Sequence, residues 1–133
     1  MKVLIMAAGA VGGYLAGILN RSGEEVVAVA RGANLEAILR DGLIVESVRS
    51  GNFTEPVSAV DRLSGDWKAD LIIFCVKSYH NEEAIKAITP AVQDSTTILT
   101  LENGIGSGDQ LAGAFGSEKI LLGAADVLSL RHI

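Results

Sequence analysis

A glycine-rich segment near the start of the chain, AAGAVGG at residues 7–13, has the composition of a turn that holds phosphate. It follows the apolar run at residues 3–6 and opens a stretch with helical periodicity, so it predicts a strand-to-helix turn. In such a turn Gly9 lets the backbone approach a pyrophosphate, the helix starting near Ala10 offers unpaired N–H groups and a positive dipole end, and Gly12 lets helix and strand pack closely. The residues of this segment predicted to form the nucleotide-cofactor site are Ala8, Gly9, Ala10, Val11, Gly12 and Gly13.

A cation, Arg31, directly follows the apolar run at residues 26–30. In a dinucleotide fold the second strand usually ends in an acid that binds the ribose 2′-hydroxyl of NAD(H), whereas the 2′-phosphate of NADP(H) requires a cation. A guanidinium can bond a phosphate through two N–H groups and stack on adenine. Because Glu24 and Glu25 are expected at the opposite end of the strand, Arg31 favours NADP(H) as the cofactor.

Both features also have explanations that need no ligand. The glycines could serve only helix–strand packing, and Ala7 stands where the dinucleotide fingerprint has its first glycine. Arg31 could be a solvated side chain at the end of a strand. Position favours binding, because both features lie at the carboxyl ends of predicted strands.

The elements that position these residues are apolar runs alternating with helical stretches. Five runs, VLIM, VVAVA, LIIFCV, TILTL and ILLGA, are continuously apolar, which is typical of parallel strands covered on both faces. Helices are predicted at residues 11–20, 34–40, 82–88 and 109–115. This order predicts an α/β fold of Rossmann type, a doubly wound, mostly parallel sheet with helices on both faces, in one dinucleotide-binding domain over residues 1–133.

The segment between the second helix and the third apolar run departs from this alternation. Residues 43–46 and 52–54 flank the turn-prone Arg49-Ser50-Gly51, which predicts a small antiparallel hairpin at the sheet edge. The helix at residues 82–88 is expected to end before Pro90.

Composition excludes several classes of function. A net charge of −5 argues against nucleic-acid binding, which needs clustered Lys and Arg. No membrane association is expected, and the glycines in residues 1–20 disfavour a secretory signal there. The single cysteine, Cys75, suits a reducing, cytoplasmic location, and neither His80 nor His132 has a second ligand at metal-binding spacing, so no metal is predicted.

With these elements placed, the chain resembles the ketopantoate reductase (2-dehydropantoate 2-reductase) family. The resemblance rests on AAGAVGGYLAG at 7–17, VARGANLEAI at 29–38, CVKSYHNEEAI at 75–85 and LENGIG at 101–106, which together span nearly the whole chain. The sequence departs from the family pattern at Ala7, at Glu102, where glutamine is common, and at residues 123–130, which follow the family's next strand only loosely. These departures bear on the substrate more than on the fold.

The resemblance implies roles for Lys77 and Asn103, because the matching lysine and asparagine of the family line the cleft for cofactor and substrate. Lys77 follows LIIFCV and Asn103 follows TILTL, and ligands on open α/β sheets bind beyond the carboxyl ends of the strands. Both residues are therefore predicted to contact the cofactor. Without a ligand, Lys77 would be a solvated cation and Asn103-Gly104 a tight turn.

The activity that the resemblance implies is NADPH-dependent reduction of ketopantoate to pantoate, a step of pantothenate biosynthesis. Hydride passes from the nicotinamide to the C2 carbonyl, and the developing alkoxide is protonated. Family members continue into a helical C-terminal domain that supplies the proton-donating lysine and most contacts to the 2-keto acid. We expect that domain to be absent here, so no residue of this chain is assigned as catalytic with certainty, and the apolar surface left uncovered could promote self-association.

Two other functions remain open. A non-catalytic nucleotide-sensing module of Rossmann type would have about this size, although such modules usually carry an acid where Arg31 stands. A related NADP-dependent reductase could act on a different keto acid, because fold alone does not determine the substrate.

We predict that the purified chain of 133 residues binds NADP(H) weakly and turns over negligibly, because the proton donor and half of the cleft would be missing. A spectrophotometric assay of NADPH oxidation in the presence of ketopantoate checks this. Oxidation that depends on ketopantoate would contradict it.

Overall fold

The continuous apolar runs pair side by side, so the predicted parallel sheet is present. The computed structural model describes residues 1–6, 10–45, 51–75, 81–101 and 107–122. In chain order the elements are β1 (Lys2–Met6), α1 (Ala10–Arg21), β2 (Glu25–Val29), α2 (Gly32–Asp41), β3 (Leu43–Val45), β4 (Phe53–Glu55), β5 (Ser58–Val60), β6 (Leu71–Phe74), α3 (Asn81–Ile88), β7 (Thr97–Thr100), α4 (Ser107–Phe115) and β8 (Ile120–Leu122).

Six strands form one sheet in the order β5-β2-β1-β6-β7-β8, with every neighbouring pair parallel. The chain winds outward from β1 through β2 to β5, and then crosses back to β6 and winds outward in the other direction. This reversal confirms the predicted doubly wound fold. In sheets of this kind ligands bind where the winding reverses, beyond the carboxyl ends of β1 and β6.

Alternate residues of β1 pack into separate cores on the two faces of the sheet. Val3 and Ile5 belong to a cluster that includes residues of α1 and α2. Leu4 and Met6 belong to a second cluster, with residues of α3 and α4. The helices therefore cover both faces, and this is why β1 is apolar at every position after Lys2.

The edge strand β5 was not predicted. It pairs with β2 through Ser58, Ala59 and Val60, and the pairing continues one residue further, where the Ala30 N–H donates to the Val60 carbonyl oxygen at 3.0 Å. Three residues beginning with a serine carry too little periodicity to be recognised as a strand. The edge position is what permits so short a strand.

The predicted hairpin is present, but it does not extend the main sheet. Strands β3 and β4 pair antiparallel, with Ile44 opposite Thr54, in a separate two-stranded sheet. This hairpin packs on α1, because Val45 and the partly buried Phe53 belong to the same core cluster as that helix. The Arg49 and Ser50 part of the predicted turn lies outside the described residues.

Gly17 of α1 is a point of very close approach to the hairpin. A Cβ atom added to Gly17 would lie 2.7 Å from Cγ2 of Val45 and 3.3 Å from Cε2 of Phe53. Val45 is buried and β-branched, so its side chain has little freedom to move away. The absence of a side chain at Gly17 therefore allows the hairpin to lie flat on α1.

The helices agree with the predicted positions to within two residues at either end. Helix α3 ends at Ile88, as the proline rule predicted, and Pro90 lies in a 3-10 turn over Thr89–Ala91. Among the described helices, no segment has the length and hydropathy that a membrane crossing requires.

We predict that Gly17→Ala lowers the free energy of unfolding by about 1 kcal/mol, because overpacking of ~1–3 kcal/mol exceeds the ~1 kcal/mol that alanine gains in a helix. Gly113 is the matched control, since it lies exposed in α4 and a Cβ there meets nothing within 4 Å. Gly113→Ala should raise the free energy of unfolding by ~0.5–1 kcal/mol. Urea denaturation of both variants beside the parent chain measures the two effects. Equal stabilisation by both variants would show that the hairpin does not press on α1.

Candidate dinucleotide-binding site

Three strands end together at the carboxyl edge of the sheet. The Cys75 N–H donates to the Met6 carbonyl oxygen at 2.6 Å, and the Leu101 N–H donates to the Phe74 carbonyl oxygen at 3.1 Å. The segments that follow β1, β6 and β7 therefore leave from one edge. Lys77 lies two residues after Cys75 and Asn103 two residues after Leu101, and both lie outside the described residues.

Helix α1 begins at this edge, directly after the predicted phosphate turn. Ala10 and Val11 are its first residues, and Gly12 and Gly13 are buried in its first turn. A Cβ added to Gly13 would meet Cδ1 of Leu43 at 3.5 Å, an ordinary packing distance on the hairpin side. The helix thus directs its positive dipole end toward the carboxyl end of β1, as the phosphate-binding prediction requires. Ala8 and Gly9 lie outside the described residues.

Arg31 stands at the head of α2, just beyond β2. It is the N-cap residue of this helix, with φ −147° and ψ 162°, and its side chain makes no capping hydrogen bond. Gly32 follows with φ +62°, a left-handed conformation that favours glycine and turns the chain from strand into helix. Arg31 and the positive end of α2 therefore lie together at the carboxyl edge.

The Arg31 guanidinium forms an ion pair that the sequence analysis missed. Its NH1 nitrogen lies 3.2 Å from Oε1 of Glu83, in the first turn of α3. The two residues are 52 positions apart in the chain. The only signal was that Glu83 lies in the first turn of a helix that follows a strand ending at the same edge. One sequence carries no information on which neighbour that side chain meets.

A pocket of about 260 Å³ adjoins this ion pair. It is lined by the end of β2, by α3 and by the segment after β5, specifically Val29, Asp61, Arg62, Leu63, Glu83, Lys86, Ala87 and Pro90. Its volume is just below the ~300–1,000 Å³ typical of sites for whole small-molecule ligands, so it suits part of a larger molecule. Asp61 and Arg62 were missed because β5 was missed, since residues that follow a parallel strand lie at its carboxyl edge.

Glu24 and Glu25, at the start of β2, lie at the other edge of the sheet, as predicted. Glu24 pairs with the N-terminal ammonium at 2.8 Å and raises the pKa of that group by accepting its hydrogen bond. Glu25 accepts a hydrogen bond from Nε1 of Trp67 at 2.6 Å. Neither carboxylate is near Arg31, so the position at the end of β2 carries a cation without an adjoining acid from its own strand.

A larger groove, of about 690 Å³, does not belong to this edge. It is lined by the C-terminal end of α2, by the start of β5 and by the segment between β4 and β5. Helix α2 has ten residues and is therefore ~15 Å long, which separates the groove from Arg31 at the helix head. Among the described residues, no group of three or more His, Cys, Asp or Glu side chains could hold a metal ion.

The described groups at the carboxyl edge fit an extended anionic ligand. The N-terminus of α1 suits a pyrophosphate, Arg31 with the N-terminus of α2 suits a further phosphate, and the adjoining pocket suits a ring system. The strand order and the reversal of winding above β1 and β6 define an α/β domain of Rossmann type.

Comparison with known proteins identifies the family. The sequence profile described as "Ketopantoate reductase PanE/ApbA" matches residues 3–131, and the chain belongs to this family. The 2-dehydropantoate 2-reductase of Pyrococcus horikoshii is 37% identical over 111 residues, which cover 84% of this chain and 36% of that protein. The family membership favours an oxidoreductase over the nucleotide-sensing module.

Solved structures agree with this assignment. A PanE/ApbA family ketopantoate reductase from Ralstonia eutropha superposes with a TM-score of 0.79 at 39% identity, covering 92% of this chain and 40% of that one. D-mandelate dehydrogenase, solved with NADH and anilino(oxo)acetate, superposes with a TM-score of 0.84 at 28% identity, covering 93% of this chain and 40% of that one. The chain thus spans about two fifths of the proteins that it matches.

We predict that Arg31→Ala and Glu83→Gln each change the free energy of unfolding by less than about 1 kcal/mol, because exposed ion pairs contribute little. Both side chains are about half exposed, at 47% and 52%. Urea denaturation of the two variants beside the parent chain measures this. A loss above ~2 kcal/mol in either variant would assign the pair a structural role instead.

Proposed function

We propose that this chain is the NADP(H)-binding domain of an oxidoreductase of the 2-dehydropantoate 2-reductase type. The observation that carries the proposal is the position of Arg31, at the head of α2 and beyond β2. A Rossmann domain holds the adenosine ribose of its dinucleotide at this point, and a cation there matches a 2′-phosphate. The cytoplasmic location expected from the single cysteine is part of the same proposal.

Each part of the cofactor has a matching group along the edge. The N-terminus of α1, with Ala8, Gly9, Ala10, Val11, Gly12 and Gly13, holds the pyrophosphate through backbone N–H groups. Arg31 bonds the 2′-phosphate, supported by the positive end of α2. The pocket beside Val29 and Ala87 takes the adenine, since it is also lined by Glu83, the ion-pair partner of Arg31.

The nicotinamide end lies on the other side of the crevice, where β6 and β7 end. The bound cofactor supplies the hydride, and the protein supplies orientation and electrostatics. Lys77 and Asn103 are the polar residues of this chain that we assign to that end, because they follow Cys75 and Leu101 by two positions. The substrate is a 2-keto acid, by analogy with the ketopantoate acted on by relatives.

A second candidate is an NADH-dependent oxidoreductase that acts on a different 2-keto acid. The similarity to D-mandelate dehydrogenase with bound NADH favours it, because that protein superposes as well as the ketopantoate reductase does. The two candidates differ in the ligand of Arg31, which is a 2′-phosphate in the first and a ribose hydroxyl in the second. Cofactor preference therefore distinguishes them.

We predict that Arg31→Ala weakens NADPH binding by about 10- to 100-fold and NADH binding by much less, because charge-assisted hydrogen bonds contribute ~1.5–3 kcal/mol. Isothermal titration calorimetry with each nucleotide measures this. The matched control is Arg40→Ala, which removes the same charge from the opposite end of α2, where Arg40 is 72% exposed. The control should leave both affinities within about twofold of the parent chain.

Two outcomes would count against NADP(H). Equal affinity of the parent chain for NADPH and NADH would favour the second candidate. Loss of affinity by the same factor for both nucleotides in Arg31→Ala would show that Arg31 contacts a part of the cofactor common to the two.

A further inference from the structure

Glu83 forms an ion pair with Arg31 and also lines the pocket next to it. Under the function proposed above, the 2′-phosphate lies on Arg31 and the adenine in the pocket. The ribose connects these two groups, so it must pass the Glu83 carboxylate. We propose that Glu83 is a specificity-determining residue, which lowers the preference of the site for NADPH and lets it accept NADH.

The Glu83 carboxylate disfavours a 2′-phosphate through electrostatic repulsion. The Glu83 carboxylate lies 3.2 Å from NH1 of Arg31, so part of the guanidinium charge is already matched before any nucleotide arrives. A 2′-phosphate on the same guanidinium would bring nearly two further negative charges within ~6 Å of the carboxylate. Repulsion at that distance in a half-exposed site corresponds to roughly a three- to tenfold loss of affinity.

NADH carries a hydroxyl where NADPH carries the 2′-phosphate. A carboxylate accepts a hydrogen bond from a ribose 2′-hydroxyl, and this is the function of the acid that NAD-binding sites usually place after the second strand. Here that position is Arg31, and the acid comes from α3 instead. The pair therefore presents a donor for the phosphate and an acceptor for the hydroxyl at one point.

The charged side chains that line the pocket are balanced in number when Glu83 is included. Asp61 and Glu83 are its acids, and Arg62 and Lys86 are its bases. Neutralising Glu83 leaves an excess of positive charge beside Arg31, which favours the more negative nucleotide. Glu82 provides a matched control, because it precedes Glu83 in the same exposed turn of α3 and carries the same charge. Among the ion pairs of the described residues, that with Arg31 involves Glu83 and not Glu82.

The experiment titrates the purified parent chain, Glu83→Gln and Glu82→Gln with NADPH and with NADH by calorimetry, at about 0.05 M and about 0.5 M NaCl. At low salt Glu83→Gln should tighten NADPH binding roughly three- to tenfold and change NADH binding by less than about twofold, because the amide keeps an acceptor oxygen. Glu82→Gln should leave the ratio of the two affinities within about twofold of the parent value. The effect of Glu83→Gln should shrink at high salt, where the Debye length is shorter.

The inference would be overturned if the ratio of NADPH affinity to NADH affinity were the same in Glu83→Gln and Glu82→Gln. It would also be overturned if the preference for NADPH fell in Glu83→Gln. Either result would leave NADP(H) binding intact. An equal change in both affinities would also overturn it, because that is what a general disturbance of α3 would produce. If the parent chain does not bind NADPH, or binds it no more tightly than Arg31→Ala does, then the proposed function fails as well.

Discussion

The central strand β1 is paired in parallel on both sides and covered on both faces, and the positions of the other elements follow from this constraint. A strand buried in this way can expose no polar side chain, so its residues are apolar in succession and divide between two cores. Each parallel neighbour requires a crossover, and each crossover must pack a helix on one of the two faces. The polar groups that do chemistry are thereby excluded from the sheet and collect at the loops of its carboxyl edge.

At that edge, positive charge comes from helix N-termini, from Arg31 and from the bases Arg62 and Lys86 that line the adjoining pocket. The protein has a net charge of −5, so its overall field repels an anionic cofactor. Local groups must therefore supply the attraction, and under the proposed function these groups are the heads of α1 and α2 together with Arg31. The Arg31–Glu83 pair then links α2 on one face of the sheet to α3 on the other, across the edge where the winding reverses.

Most of the sheet was predictable because burial leaves a strong local signal. The five apolar runs became β1, β2, β6, β7 and β8, and the helices between them lie where the sequence predicted. Strand β5 was missed, since an edge strand of three residues needs neither a long apolar run nor alternation. The hairpin was predicted as a unit but placed at the wrong position, because an antiparallel pattern does not show which surface will cover its apolar side. In the structure the hairpin covers α1 at Gly17, where there is no side chain to keep it away. The sequence does not show this, because a helical glycine looks the same whether a strand or solvent lies against it.

The candidate site likewise has some features that were predictable from the sequence and others that only the structure shows. The amino-acid sequence by itself determined that a glycine turn follows the first strand and that a cation follows the second, because both are local features of consecutive residues. It also predicted that Lys77 and Asn103 follow strands of one parallel sheet. Only the tertiary structure decided that Glu83 meets Arg31 and that Asp61 and Arg62 border the same pocket, because these contacts join segments from three separate crossovers. Side chains so distant along the chain are brought together by the order of the strands, and that order is a property of the packed sheet that no single segment encodes.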